Sequence, residues 1–190
     1  MKKILMLLVM LVALPSFANV NVKFSHDIEL LAINGSEDIG DSWFASVKEA
    51  ELKNGHNQLL VRIAKLIPQA GEWEKFNSKP VIVEFMANNA EITISPKIKI
   101  DSKQKADVFN QSPSFELLSV DGITIESSVL ILPGKVSTLI GYEKPLLEFN
   151  EKRMNRDNIG QDRILNEIKS KYILLNESDR KSFLQWAISQ

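Results

Sequence analysis

The chain has 190 residues, of which 44% are hydrophobic and 25% are charged, with 23 basic and 24 acidic side chains. Because phosphate binding needs a clustered basic surface, this balance argues against nucleic acid as a main partner. The chain contains no cysteine and only two histidines. Disulfides and thiolate zinc sites are therefore excluded, and few ligands remain for a histidine-rich metal site.

Residues 1–18 have the layout of a secretory signal peptide. Two lysines precede an apolar run at 4–14. At ~1.5 Å per residue this run covers about half of a ~30 Å hydrocarbon core, so it is too short to span a membrane. The small residues that follow predict cleavage between Ala18 and Asn19. We expect a mature protein in a bacterial periplasm, without a transmembrane span.

Residues 19–150 have the pattern of an antiparallel β region, either one body or two small β subdomains. Apolar and polar residues alternate at 20–24, and β-branched runs follow at 80–86 and 92–100, with a shorter run at 129–132. Such period-2 and β-branched patterns are typical of half-buried strands. We predict a mainly β fold with a sandwich-like body.

Two dipeptides indicate tight turns between strands. Asn54-Gly55, followed by His56, and Asp121-Gly122 each favour the positive φ angles of a type I′ turn. Each therefore predicts a β-hairpin that joins the apolar runs on its two sides.

The C-terminal residues 151–190 change to a linker and two helices. The polar, glycine-bearing segment 152–162 is the predicted linker, and apolar residues at helical spacing follow it. Phe183 and Trp186 are expected to pack the last helix onto the β body, and Trp186→Ala would cost roughly 3–5 kcal/mol if that ring is buried. A further short helix is indicated at 102–109.

No spacing of residues specifies a catalytic site, a metal or a cofactor. The glycine spacing at 35–42 is that of a phosphate loop, but Asp41 replaces the lysine that would hold the phosphates. The same stretch fails as a calcium loop because Ile39 occupies the position that requires glycine. We expect a non-enzymatic protein without a cofactor.

Four aromatic residues, Trp43, Phe44, Trp73 and Phe76, lie in turn-rich and partly polar surroundings. They are the candidate partner-binding residues, because exposed aromatic rings can stack on a sugar or anchor a protein interface. The alternative interpretation is ordinary packing of loops and core.

Three segments carry a resemblance to a known family. They are residues 52–63 around Asn-Gly-His, residues 109–120, and residues 183–187 with the sequence Phe-Leu-Gln-Trp-Ala. The chain resembles the YccT-like family of gammaproteobacterial secreted proteins, one member of which is named as a curli synthesis inhibitor. The region around Asn54-Gly55 is also similar to small β-sandwich modules of the PEGA type.

The resemblance implies a periplasmic protein that restrains the assembly of amyloid fibre subunits or another envelope polymer. Its partner would then be a protein of the cell envelope, captured by strand addition. Lys53, Lys97 and Lys99 on candidate strands are suited to protect the protein's own edges. The alternative is a carbohydrate- or envelope-binding β module, while a hydrolase built on dispersed carboxylates is supported by residue counts alone.

Overall fold

The structure, a computed structural model, describes residues 19–38, 47–69, 71–134 and 141–189. The predicted signal peptide, with Ala18, and the aromatic pair Trp43 and Phe44 lie outside the described residues. The chain divides into two units, one up to Ile131 and one from Leu132 onward.

The first unit is built from two β-sheets and one short helix. Sheet A has the strand order β3-β1-β7-β8, and sheet B has the order β2-β4-β6-β9, with β5 pairing to β4. The ladders are antiparallel except that between β1 and β7, which is parallel. The prediction of a mainly β fold with an antiparallel sandwich-like body is confirmed. The elements in chain order are β1 Val20–Phe24, β2 Ile28–Ile33, β3 Glu49–Leu52, β4 Gly55–Gln69, β5 Glu72–Asn77, β6 Val81–Ala87, β7 Glu91–Pro96, α1 Lys103–Gln111, β8 Phe115–Ser119 and β9 Ser127–Ile131.

The core lies between the facing sides of the two sheets, and alternate residues of β1, β3 and β7 are buried in it. Val20 and Val22 of β1, and Ile92 and Ile94 of β7, have no exposed surface. The short helix α1 adds Phe109, whose ring meets that of Phe115 edge-on, with centroids 5.5 Å apart. The period-2 pattern that predicted the strands is therefore the pattern that fills the core.

A long ribbon of β4 paired with β5 and β6 is the centre of sheet B. The first part of β4 pairs with β6 from Gly55 to Val61, and its remaining part pairs with β5 from Ala64 to Gln69. At the join, Ile63 N–H donates to the Ser78 hydroxyl oxygen (2.9 Å), and Ser78 N–H donates to the Ile63 carbonyl (2.8 Å). The β4–β5 end therefore forms an arm that continues beyond the pairing with β6.

The turn at Asn54-Gly55 has the expected backbone, but the hairpin predicted there is wrong. Gly55 has a φ of +104°, yet β3 pairs with β1 in sheet A, whereas β4 pairs within sheet B. The dipeptide is a crossing between the two sheets. Asn57 holds it, since its side-chain Nδ2 donates to the Lys53 carbonyl (2.8 Å) and the Gly55 carbonyl (3.2 Å).

A second crossing, from β6 to β7, is tied to the first by an asparagine pair. Asn54 Nδ2 donates to Asn89 Oδ1 (2.8 Å), and the backbone N–H of Asn89 donates to Asn54 Oδ1 (2.9 Å). Asn89 has a φ of +49°, a conformation that asparagine tolerates better than most residues. We call this pair the asparagine clasp.

The turn at Asp121-Gly122 reverses the chain, with Gly122 at a φ of +74°. The returning segment bonds to β8, because Ser119 N–H donates to the Ile123 carbonyl (2.9 Å) and Ile125 N–H to the Leu117 carbonyl (2.8 Å). It forms a single bridge, Leu118 with Thr124, rather than a full strand. The chain then crosses to sheet B as β9.

The second unit contains two helices, α2 Glu143–Leu174 and α3 Glu177–Ile188. The predicted linker at 152–162 is wrong, because it lies inside α2. The segment contains Lys, Arg, Met and Gln, which are good helix formers, and one Gly in a 32-residue helix costs only about 1 kcal/mol. Asn176 caps α3 as its sequence position predicts, since its Oδ1 accepts from Asp179 N–H (2.9 Å).

We predict that Asn89→Ala destabilises the protein by about 1–2 kcal/mol, through a lost hydrogen bond and the strain of a Cβ residue at positive φ. Urea unfolding measures the change. Asn89→Gly is the matched control, because it loses the same hydrogen bond without the strain and should cost less. Equal losses for both variants would contradict the role of the backbone at this position.

Candidate functional site

A strand edge is a row of backbone N–H and C=O groups that can pair with another chain, and four of the five edges that the structure describes are blocked. The β3 edge carries Glu49 and Glu51, and β5 carries Glu72, Glu74 and Lys75. The β8 edge is covered by the returning segment 123–125. The β2 edge has a bulge between Leu30 and Ala32. These are recognised means of preventing edge-to-edge association.

The fifth edge, β9, has none of these protections among the described residues. Its sequence is Ser-Ser-Val-Leu-Ile, without charge or proline, and its register with β6 is regular throughout. Within the described part of the chain, β9 pairs with β6 alone. Val129, Leu130 and Ile131 are each partly exposed. An uncharged, regular, β-branched edge of this kind is suited to strand addition.

The two faces of β9 differ in chemistry. Val129 lies opposite Val83 and packs against the core, whereas Ser128 lies opposite Glu84 on the outer face. Glu84 is itself buried and accepts a hydrogen bond from Gln58 Nε2 (2.9 Å). Leu130, on the same face as Ser128, lies opposite the fully buried Ile82. A strand added beside β9 would therefore continue an apolar row on one face and a mixed polar and apolar row on the other.

A groove of about 540 Å³ lies beside the start of β9, between the two sheets. Phe115 and Leu117 are its buried apolar part, and Ile125 packs against the same core. Its charged residues are Lys97, Glu116 and Glu126. We call β9 together with this groove the open edge. It offers backbone hydrogen-bonding groups and a space for apolar side chains, which is what an extended peptide needs.

Lys97, one of the three lysines expected to protect edges, lines this groove. Lys53 lies at the crossing between β3 and β4, and Lys99 follows the end of β7. None of the three lies within β9, so the lysines leave this edge unprotected.

The predicted partner-binding aromatic residues are only partly described. Trp73 and Phe76 both lie on β5, three positions apart, so their side chains are on opposite faces of the arm. Trp73 is 71% exposed opposite Pro68, whereas Phe76 packs against the core. The two rings do not form one platform, and the prediction for Trp43 and Phe44 stays a prediction.

The histidines are not brought together. His56 lies on β4 opposite Met86, and His26 lies in the turn after β1, beside Asp27 with 3.8 Å between Nδ1 and the nearest carboxylate oxygen. Asp27 is also bound by Lys65 (2.5 Å). Among the described residues no cluster of His, Asp and Glu could hold a metal ion.

The last helix is anchored by Phe183 rather than by Trp186. The Phe183 ring lies 5.7 Å from that of Tyr172 on α2, between centroids, and is half-buried. Trp186 is 58% exposed, so the buried ring on which a cost of about 3–5 kcal/mol depended is not found. On α2, Lys171 lies one turn after Glu167 (2.7 Å), and its hydrogen bond lowers the pKa of that carboxyl.

Comparison with known proteins identifies the family. The family described as "Uncharacterized protein conserved in bacteria (DUF2057)" matches residues 21–162. The chain belongs to this family. The matched region includes every strand of the two sheets except the first residue of β1, and it therefore contains the whole open edge.

Curated relatives agree with this assignment. A UPF0319 protein of Vibrio vulnificus is 37% identical over 150 residues, which is 77% of this chain but only 60% of that relative. A UPF0319 protein of Vibrio parahaemolyticus is 26% identical over 92% of this chain and 90% of its own length. The UPF0319 protein YccT of Escherichia coli is 25% identical over 89% of each chain. The resemblance to a YccT-like family is confirmed.

These names describe no enzymatic activity, and no solved structure matches the chain. Within the described residues, no helix combines the length and the apolar character needed to cross a membrane. The open edge was not among the predicted site residues. The signal that could have found it is the uncharged β-prone window 127–132, which has the composition of an aggregation-prone segment.

We predict that Trp186→Ala lowers the free energy of unfolding by about 1 kcal/mol or less, because its ring is mostly exposed and only its contact with Phe183 is lost. Phe109→Ala is the comparison, since that ring is fully buried and should cost about 3–5 kcal/mol. Both are measured by denaturant unfolding. A loss at Trp186 as large as that at Phe109 would show that the ring is buried.

Proposed function

We propose that this chain is a secreted, non-enzymatic periplasmic protein that binds an extended segment of another protein by strand addition at the open edge. The observation that carries the proposal is β9 itself, an uncharged and regular edge beside a groove that has Phe115 and Leu117 as its buried apolar part and charged residues in its lining. Backbone hydrogen bonds to such an edge supply affinity for any extended chain, and the groove supplies preference for apolar side chains.

The partner that fits this surface best is an amyloid-forming subunit of the curli type. Such a subunit grows by adding strands to an exposed edge, and its growing end offers the same unpaired backbone groups as β9. The family resemblance supports this choice, because one member of the YccT-like family is named as a curli synthesis inhibitor.

The arrangement of edges suggests how binding would stop growth. A strand added to a fibre extends the fibre only if its far side accepts the next strand. In sheet B the far side is β2, where the bulge between Leu30 and Ala32 interrupts the ladder. Glu29 on this strand is bound by Arg62 through two hydrogen bonds of 2.7 and 3.0 Å. A fibre end paired with β9 would therefore be capped by sheet B, whose opposite edge, β2, is not suited to accept the next strand.

A carbohydrate- or envelope-binding function is the second candidate, and the observation in its favour is Trp73. Its ring is 71% exposed at the β4–β5 arm and could stack on a sugar. Trp73→Ala separates the two functions, because the arm and the open edge are different surfaces of sheet B. Loss of inhibition in this variant would favour the arm.

We predict that the purified protein lengthens the lag phase of a curli-type subunit at substoichiometric ratio, and that Ser128→Lys abolishes the effect. Ser128 is exposed on β9, so a lysine there places a charge on the edge while leaving the core unchanged. Thioflavin fluorescence follows the kinetics.

The control is Ser170→Lys, the same substitution on the exposed surface of α2, which should inhibit as the native protein does. Circular dichroism of both variants checks that they fold. Kinetics that do not change over a wide range of ratios would reject the curli role, and inhibition retained by Ser128→Lys would reject the open edge as its site.

We predict that the exported protein begins at Asn19, with residues 1–18 removed, because the apolar run is too short for a membrane anchor. Mass spectrometry of a periplasmic fraction measures the N-terminus. The matched Leu8→Arg variant, which places a charge inside the apolar run, should remain unprocessed. Recovery of the native chain in the cytoplasm with Met1 or Lys2 at its N-terminus would contradict export.

A further inference from the structure

The open edge is complementary to itself. Each residue of β9 is uncharged, so two copies of the strand meet without repulsion between like charges. By contrast, two β3 edges would bring Glu49 and Glu51 of one copy against the same residues of the other. Of the strand edges that the structure describes, β9 is therefore the one best suited to pair with its own copy.

We propose that β9 strands of two copies pair antiparallel about Val129, and that this homodimer is a resting form in which the open edge is covered. In this register Val129 faces Val129, Ser128 faces Leu130, and Ser127 faces Ile131. Such a two-fold interface uses the same surface of both copies and is closed. The role of the dimer in regulating partner binding rests on the proposed function, whereas the pairing of the two β9 strands does not.

The other edges explain why the pairing would end at two copies. A dimer through β9 joins two copies of sheet B, whose remaining edges are then the β2 and β5 strands of each copy. Each β2 strand has the bulge between Leu30 and Ala32 and does not present a regular ladder. Each β5 strand carries Glu72, Glu74 and Lys75. The protein can therefore leave one edge open without forming fibres of its own.

The interface is small, because β9 has only five residues. Contacts below about 1,200 Å² belong to the weak and transient class. We therefore expect a dissociation constant on the order of 10 μM to 1 mM. Above this concentration the open edge is covered, and below it the monomer exposes the edge to a partner. The inhibition per chain should fall as the protein concentration passes through this range.

Sedimentation equilibrium on the purified protein, from about 1 μM to about 1 mM, tests the dimer. The native chain and Ser170→Lys should change from monomer to dimer over this range, while Ser128→Lys should raise the dissociation constant at least tenfold. A native chain that stays monomeric throughout would overturn the proposal. A dimer that Ser128→Lys leaves unchanged would also overturn it, since another surface would then form the contact.

Cysteine cross-linking tests the antiparallel register about Val129, because the chain has no native cysteine. In the Val129→Cys variant two thiols would face each other, and oxidation by diamide, which takes up two electrons and two protons, should join them in one disulfide. Ile173→Cys is the control, because this residue is 67% exposed on α2 and is not part of β9. Cross-linking of Val129→Cys no faster than that of the control would overturn the register.

Different results would reject the β9 dimer and the proposed inhibition of fibre growth. A monomeric native chain that still delays fibre growth would remove the dimer and leave the proposed function. A dimer sensitive to Ser128→Lys in a protein that never delays fibre growth would remove the proposed function and leave the pairing. If the inhibition per chain does not decline at concentrations where the dimer forms, the dimer does not regulate inhibition.

Discussion

The need to satisfy backbone hydrogen bonds at strand edges is the constraint on which this structure depends. A sheet satisfies its inner strands by pairing, but its outer strands keep a free side that must be protected or used. Charged residues protect β3 and β5, a returning segment covers β8, and a bulge interrupts β2. The remaining outer strand of the described sheets, β9, has no such device in the part of the chain that the structure describes. We therefore infer the function from β9, the described edge strand that lacks these protections.

The asparagine clasp shows how the two sheets are held in the relation that creates this edge. Asn54 and Asn89 lie in separate crossings between sheets, and each accepts a hydrogen bond from the other. Because β6 ends at the second crossing and also pairs with β9, the clasp helps to fix the ladder that positions the open edge. Polar turn residues thus contribute to the site without contacting it.

Sequence patterns predicted the strands well and their pairing poorly. Alternation at 20–24 depends on local geometry, so the β1 strand could be read directly. At Asn54-Gly55 the same local information fixed the turn but not the sheet that each neighbouring strand joins, because pairing depends on distant residues. Strand β5 was missed because its charged residues hide the alternation. The uncharged window 127–132 indicates a strand prone to association, but its place at the edge of the sheet, which defines the candidate site, follows from strand order.

The parallel ladder between β1 and β7 has a consequence for how the chain reaches this fold. It places Val22 beside Ile92, so sheet A cannot close until most of the β domain has been synthesised. The β4–β5 ribbon is a local hairpin and can form early, whereas the β1–β7 contact must wait for closure of a long loop. One side of β1 can pair early with β3, but the side that faces β7 would remain unpaired until that strand is made. The order of folding is thus set by contact order rather than by position along the chain.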